Sequence, residues 1–323
     1  MDKENYLFGP VPSRRLGLSL GVDIVPLKVC TLDCIYCQLG RSSEKRIERT
    51  SYVEVESVLE ELAEKLRDGI EADFITISGS GEPTLSLELG QIVRGIKEIT
   101  EIPVAILTNG TLLSDESVRA DCEEADVVLP SLDAGDEGTF RKINRPHADI
   151  SIEKLVSGLC AFRNEFKGQI WLEVFLVKGV NTSSASVLKI KSAIERIRPN
   201  KIQLNTSVRP TTEPTVRRVS SEELEAIAAE LGDNCEVIAD FSPKERPCEV
   251  GMAGDIGGPH LKGVEEKKGS LLAMLRRRPC SLKDICSGLG IGGSEALKYI
   301  TQLQNEGVVR QQERGGVVFF KAE

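Results

Sequence analysis

Along most of the chain, short runs of apolar and β-branched residues alternate with longer stretches whose apolar positions recur at helical spacing. Residues 18–25, 74–78, 104–107, 127–132, 170–177 and 201–204 read as strands. Between them, residues 53–66 put Val55, Val58, Leu59, Leu62 and Leu66 on one face, and residues 85–100, 152–166 and 184–197 read as further helices. Ser114 is expected to cap the helix after the third strand. Six strand–helix units in a row predict an α/β fold with a parallel sheet and right-handed crossovers. Ligands of such sheets lie at the carboxyl ends of the strands. Six units fall short of the eight that close a barrel.

The pattern changes after Leu231. Residues 240–263 are rich in Gly and Pro with little periodicity and read as a linker. In the tail, Leu271, Leu272 and Leu275 predict one helix, and Leu282, Ile285 and Leu289 a second. Residues 293–306 predict a third, and residues 308–321 two short strands around Gly315 and Gly316.

Composition narrows the class. A chain of 323 residues allows about two domains, and 40 % apolar with 28 % charged residues is ordinary for a globular protein. Its longest apolar runs are too short to cross a bilayer and its start has no charged-then-apolar leader, so a cytoplasmic protein without membrane partners is expected. Nine cysteines, odd in number and partly gathered at one place, argue for a reducing compartment and against a disulfide framework. A net charge of −9 argues against wholesale electrostatic binding of nucleic acid. Residues 265–323, however, carry ten Lys or Arg against seven Asp or Glu, which leaves a local nucleic-acid role open to the tail. Its third helix offers only Lys298 among Glu295, Gln302, Gln304 and Glu306, a poor supply of phosphate contacts. Arg276, Arg277 and Arg278 end the first helix, where cations also complement the helix dipole.

The most specific chemistry lies just after the first strand, where Cys30, Cys34 and Cys37 stand in the run Val29-Cys30-Thr31-Leu32-Asp33-Cys34-Ile35-Tyr36-Cys37-Gln38. Three thiolates at this spacing on a tight loop suit three corners of a [4Fe–4S] cube. No further cysteine follows until Cys122, so the fourth iron is left open to a small molecule, as a reaction centre requires. Cys122, Cys160, Cys235, Cys248, Cys280 and Cys286 form no close pair and read as buried free thiols.

Other candidates cluster at strand ends. Ser78-Gly79-Ser80-Gly81-Glu82-Pro83-Thr84 follows the second strand, with small residues that let backbone approach a ligand and an acceptor in Glu82. Asn109 closes the third strand, Ser131 and Asp133 the fourth, Lys178 the fifth and Asn205 the sixth. Such residues serve equally as helix caps or solvated strand ends. Arg14 and Arg15, in Phe8-Gly9-Pro10-Val11-Pro12-Ser13-Arg14-Arg15-Leu16-Gly17, have the donor geometry to hold a carboxylate or phosphate, or form a solvated pair. Asn144-Arg145-Pro146-His147 is a loop able to face the site, and His147 and His260 are the two histidines available for proton transfer. No catalytic residue is assigned.

The Cys-x3-Cys-x-aromatic-Cys run, with Tyr36 in the aromatic slot, resembles the radical S-adenosylmethionine (SAM) superfamily. The resemblance implies an open partial (β/α)6 barrel over residues 1–240, a linker over 241–264 and a separate domain over 265–323. It implies one [4Fe–4S] cluster on Cys30, Cys34 and Cys37, with SAM chelating the open iron. Reductive cleavage would give methionine and a 5′-deoxyadenosyl radical that abstracts hydrogen from substrate carbon. Reduced ferredoxin or flavodoxin is the implied electron donor. Ser80, Gly81 and Glu82 stand where the family carries its "GGE" motif, with Ser80 replacing a glycine. With Asn109, Ser131, Lys178 and Asn205 they form the implied SAM- or substrate-contacting set. The wording "GPVPSRR", "TNGTLL" and "PSLDAGDEGTFRKINRP" is similar to the branch related to wyosine-base synthesis on tRNA, over roughly residues 7–231. The chain departs from that branch in having no cysteine ahead of Cys30 to hold a second cluster. The tail resembles a winged helix-turn-helix, expected to engage nucleic acid, peptide or protein, and RNA, peptide and protein are the substrate classes left open. A second reading is an iron–sulfur sensor that regulates transcription, with the winged helix as reader.

Overall fold

The computed structural model describes residues 6–42, 44–239 and 264–323. Nearly all of the expected linker lies outside the described residues, as do Cys248 and His260. Strand β1 (Leu7–Ser13) turns back into β2 (Gly17–Val22), and the short pair β3 (Val29–Cys30) and β4 (Glu44–Lys45) leads to α1 (Val55–Arg67). There follow β5 (Phe74–Ile77), α2 (Leu89–Ile99), β6 (Val104–Thr108), α3 (Glu116–Asp121), β7 (Val127–Pro130), α4 (Glu137–Ile143), α5 (Ile152–Glu165), β8 (Gln169–Leu176), α6 (Ser184–Ile197), β9 (Lys201–Thr206), α7 (Ser221–Leu231) and β10 (Cys235–Val237). Among the described residues these form an eight-stranded sheet in the order β1-β2-β5-β6-β7-β8-β9-β10. It is parallel throughout except for β1, which runs antiparallel to β2.

The six strands read from the sequence are β2 and β5 to β9, and the sheet adds an edge strand at each side. Pro10 and Pro12 mask β1, because a residue without an N–H fits only an edge position. At three residues, β10 is too short to show a period. Asp115, not Ser114, caps α3: its side chain accepts from Ser117 N, while Ser114 ends the preceding turn of 3-10 helix.

Strands buried on both faces read as continuous apolar runs, and all four residues of β7 are buried. Helix α2 seats Leu89, Ile92, Val93 and Ile96 against the sheet from one side. In the turn between β1 and β2, Leu16 packs with Ala105, Val127 and Leu129. From the same turn, Arg14 Nη1 donates to Asn205 Oδ1 at 3.2 Å and Arg15 Nη1 to Glu173 Oε2 at 2.6 Å. These bonds join the first strands of the order to β9 and β8 near its other end, so the sheet is curled until its two sides face each other.

The tail comprises α8 (Val264–Arg277), β11 (Cys280–Ser281), α9 (Leu282–Leu289), α10 (Gly293–Asn305), β12 (Val309–Arg314) and β13 (Val317–Ala322). Helices α9 and α10 and the hairpin stand where the apolar spacing puts them, and β11 joins the hairpin to complete a three-stranded sheet. Gly315 and Gly316 both take positive φ, 57° and 75°, as a two-residue turn of this hand requires. The tail has its own core of Leu271, Leu275, Ile285, Ile300, Leu303 and Phe320, and Val11 of β1 belongs to it. The tail thereby covers the edge strand that would otherwise be open to pairing. Among the described residues, no helix is long and apolar enough to cross a membrane.

Candidate active site

The cysteine loop is held at nearly every turn by main-chain bonds. Strand β3 pairs with β4, placing Cys30 opposite Lys45, and Arg46 N donates to Cys30 O at 3.0 Å. Asp33 N and Ile35 N donate to the carbonyls of Asn144 and Ile143 at the end of α4. From the segment after β9, Thr212 N donates to Cys37 O at 2.8 Å and Glu213 N to Ile35 O at 3.1 Å. Lys321 of β13 caps Gln38 O at 2.8 Å. The loop backbone is thus fixed by the sheet, α4 and the tail together, leaving the thiols as its free chemistry.

Two side-chain amides are directed at the sulfurs. Asn109 Nδ2 lies 3.5 Å from Cys30 Sγ and Asn144 Nδ2 lies 3.4 Å from Cys34 Sγ. Asp133 organises the second contact: it accepts from Asn144 at 2.6 Å, from Phe175 N at 2.8 Å and from the Tyr36 hydroxyl. Burial pushes its pKa up to about 6, against the pull of these hydrogen bonds. Tyr36 also stacks on Phe175, with ring centroids 3.9 Å apart and planes 11° from parallel.

Burial pushes the Cys30 thiol up to about 12 and raises Cys34 and Cys37 as well. Free thiols here stay neutral, and holding them as thiolates takes a cationic iron centre. Among the described residues no group of three or more His, Cys, Asp or Glu converges to hold one metal ion. A cubane asks for something different, one thiolate at each of several irons. Three thiols on one fixed loop, amide donors to two of the sulfurs and a buried, unpartnered Asn144 Oδ1 beside them fit that group.

The Gly-rich loop after β5 packs directly on this frame. Glu82 N donates to Val29 O at 3.0 Å and Lys28 N to Ser80 O at 2.7 Å. A Cβ on Gly81 would meet Val29 O at 2.4 Å, so only glycine lets the two loops approach so closely. Ser80 donates twice to Asp23, from its amide at 3.0 Å and its hydroxyl at 2.5 Å. Glu82 is buried and accepts from Thr84 N, Thr84 Oγ1, Thr108 Oγ1 and Asn109 N. Burial raises its pKa, with all four donors opposing that rise.

The structure therefore brings Ser80, Gly81, Glu82 and Asn109 to the cysteine loop, although their polar atoms are largely spent on the protein itself. Ser131 is half-buried at the end of β7, bridged to Glu173, and no described residue engages its hydroxyl. Asn205 anchors Arg14 and Glu173 across the curled sheet. Glu173 is held below its usual range: burial opposes this, and Arg15, Asn205 and Arg14 outweigh it. Lys178 is not gathered with the others. It is exposed and faces Glu223 of α7 at 3.5 Å. His147 donates its main-chain N–H to Thr31 O of the cysteine loop at 2.9 Å, while its imidazole pairs with Asp149 at 3.5 Å. Of the other described cysteines, Cys122 and Cys280 are buried, whereas Cys160, Cys235 and Cys286 are only partly so.

The sequence placed Asn144 only in a loop able to face the site, read Arg277 only as complementing a helix dipole, and left Asp23 without a role. Asp23 closes β2 and receives both Ser80 and, at 2.8 Å, Arg277 Nε from α8. A carboxylate at a strand end directly before a cysteine loop was the available signal, but its cationic partner lies far along the chain.

A family model for the radical SAM superfamily matches residues 24–189. The chain is 36 % identical to a protein named GTPase Obg from Brachyspira hyodysenteriae over 98 % of its own length, but spans only 45 % of that protein. It is 31 % identical to a UPF0026 protein from Methanocaldococcus jannaschii, with 97 % of this chain and 94 % of that one covered. Among solved structures, TYW1 with a lysine–pyruvate adduct bound superposes with a TM-score of 0.52 at 20 % identity, covering 69 % of this chain and 75 % of that one, a likeness of fold. The chain belongs to the radical SAM superfamily, among its UPF0026 proteins.

Proposed function

We propose that this chain is a radical SAM enzyme in which Cys30, Cys34 and Cys37 hold one [4Fe–4S] cluster at the carboxyl end of a partial barrel. The observation that carries the reading is a loop fixed on all sides with three free thiols and amide donors set against two of them. When bound, the cluster supplies the electron that cleaves SAM to methionine and a 5′-deoxyadenosyl radical. Asn109 and Asn144 orient the sulfurs and tune the centre through their N–H bonds. Ser80, Gly81 and Glu82 shape the SAM pocket by fixing backbone, and Ser131 presents its hydroxyl to the ligand. Tyr36, stacked on Phe175, closes the wall beside the thiols. A reduced ferredoxin or flavodoxin serves as electron donor, and the substrate is a small molecule, RNA, peptide or protein that enters at the same mouth.

The tail is read as a winged helix that docks substrate or partner. The alternative of a DNA-reading sensor has fewer cations to offer a backbone than the Arg276–Arg278 run suggests, because Arg277 is bound to Asp23. Anaerobic reconstitution with iron and sulfide, then dithionite reduction with SAM, tests the proposal. 5′-Deoxyadenosine should form with the wild-type chain and not with Cys34→Ala. A loaded cluster that neither binds nor cleaves SAM refutes it.

A further inference from the structure

Four arginines converge where the β1–β2 turn, the segment after β9 and the end of α8 meet. Arg15 is satisfied by Glu173 at 2.6 Å. Arg209 has only a long pairing with Asp284, at 3.5 Å. That carboxylate is already engaged by Ser281 N and Oγ in the capping box of α9. Arg14 donates to the neutral Asn205. Arg278 Nη2 is buried with no partner among the described residues. Among the described residues, the carboxylates Glu173 and Asp284 stand against these four cations, a surplus of two positive charges.

Like charges are gathered so only at a cost, which a protein offsets when an anion completes the set. Arg14 is reached by solvent, yet burial, followed by its neighbour Arg209, pushes its pKa down to about 10. Arg209 is 12 % exposed, and burial and Arg278 together lower its pKa. Arg14 is thus the member of the group that solvent reaches, and Arg209 is more enclosed. Guanidinium forks match phosphate oxygens, and a phosphomonoester carries about −1.5 to −2 charges near pH 7, which balances the surplus.

We propose that Arg14, Arg209 and Arg278 form a site for the phosphomonoester of a small substrate, closed over by the tail. The proposal rests on the radical SAM reading only in treating the ligand as that enzyme's substrate. A surplus of two charges favours a terminal phosphate, at about −1.5 to −2, over a singly charged phosphodiester.

The test uses the full chain with its cluster reconstituted anaerobically and no SAM present. Thermal melts and titration calorimetry follow inorganic phosphate and a nucleoside 5′-monophosphate against chloride at equal ionic strength. Wild type should show saturable binding and a phosphate-dependent rise in Tm. Arg278→Gln should weaken binding about ten-fold or more and raise the phosphate-free Tm by relieving repulsion. Arg14→Gln, at the member that solvent reaches, should weaken binding likewise and guards against a misfolded first variant. Absence of a phosphate-specific response in wild type, or a wild-type response in both variants, overturns the site. A dinucleotide phosphodiester binding as tightly as the monoester overturns the ligand class. Because no turnover is read, failure here leaves 5′-deoxyadenosine formation untouched, and failure of SAM cleavage leaves phosphate binding untouched.

Discussion

Glu82→Gln separates a framing carboxylate from a ligand-binding one. The Glu82 carboxylate accepts four hydrogen bonds, three crowded on Oε1 and one on Oε2, which leaves Oε2 one further acceptor site among the described residues. Glutamine keeps the shape and replaces one oxygen with a donor. If the amide nitrogen takes the Oε2 position it faces Asn109 N–H; if it takes the Oε1 position it faces Thr84 N–H. The threonine hydroxyls can rotate to accept, but a backbone N–H cannot, so either orientation orphans one buried donor. An orphan of this kind costs about 1–3 kcal/mol, and loss of the charge weakens the bonds that remain, for a total of about 2–4 kcal/mol. In a domain of this size that corresponds to a fall in Tm of about 5–10 °C. Differential scanning calorimetry on the reconstituted protein reads the loss, and equilibrium SAM binding well below the transition reads the site. A Tm within about 1 °C of wild type with SAM affinity down about a hundred-fold would show that Glu82 touches SAM and is not part of the frame.

Three further changes probe the same framework. Gly81→Ala puts a methyl 2.4 Å from Val29 O and 2.8 Å from Val25 Cγ1, so the two loops must part at a cost of about 1–3 kcal/mol; iron bound per chain after reconstitution should fall below the wild-type value. Tyr36→Phe removes the donor to Asp133 but keeps the stack on Phe175, costing about 1 kcal/mol, whereas Tyr36→Leu should cost more in the same melt because the stack goes as well. Arg277→Met breaks the 2.8 Å pair with Asp23, whose side chain is 7 % exposed, and should destabilise by about 3 kcal/mol, the low end for a buried pair because Ser80 still satisfies the carboxylate. A double-mutant cycle with Asp23→Asn should show coupling between the two positions, and purely additive effects would refute the link.

The fold was legible where periodicity was long. Six strands and the helices α1, α2, α5 and α6 follow from apolar spacing, as do α9, α10 and the closing hairpin. Weak pattern hid β1 with its prolines, the three-residue β10 and α4, which buries only Phe140 and Ile143, whereas α7 was missed although Leu224, Ile227 and Leu231 line its buried face at helical spacing. In the site, spacing pointed to Cys30, Cys34 and Cys37 because the three thiols stand close together in the chain, although distant elements fix the loop that presents them. The supporting groups escaped because each is defined by a distant partner. Asn144 meets Cys34 from 110 positions away and Arg277 meets Asp23 from 254. Lys178 shows the opposite error, since a strand-end position does not fix which way a long side chain turns, and here it turns to Glu223.

These long-range pairs bear on what the tail is for. Arg277 holds Asp23, which holds Ser80, and Lys321 caps Gln38 one residue beyond Cys37. Arg314 binds Ser207 and, at 2.8 Å, Val216 O in the segment whose Thr212 supports Cys37 O. Val11 of the edge strand lies in the tail's own core. The tail is therefore built into both walls of the candidate site, and removing residues 265–323 would uncover Val11 and remove three anchors at once. Loss of activity on such truncation reports the collapse of that frame and carries no information about substrate docking. Recruitment is separable only on the outward face of the tail, where Leu297 is exposed on α10 beside Lys298. A change there leaves every anchor in place, so any effect on substrate affinity belongs to the docking surface alone.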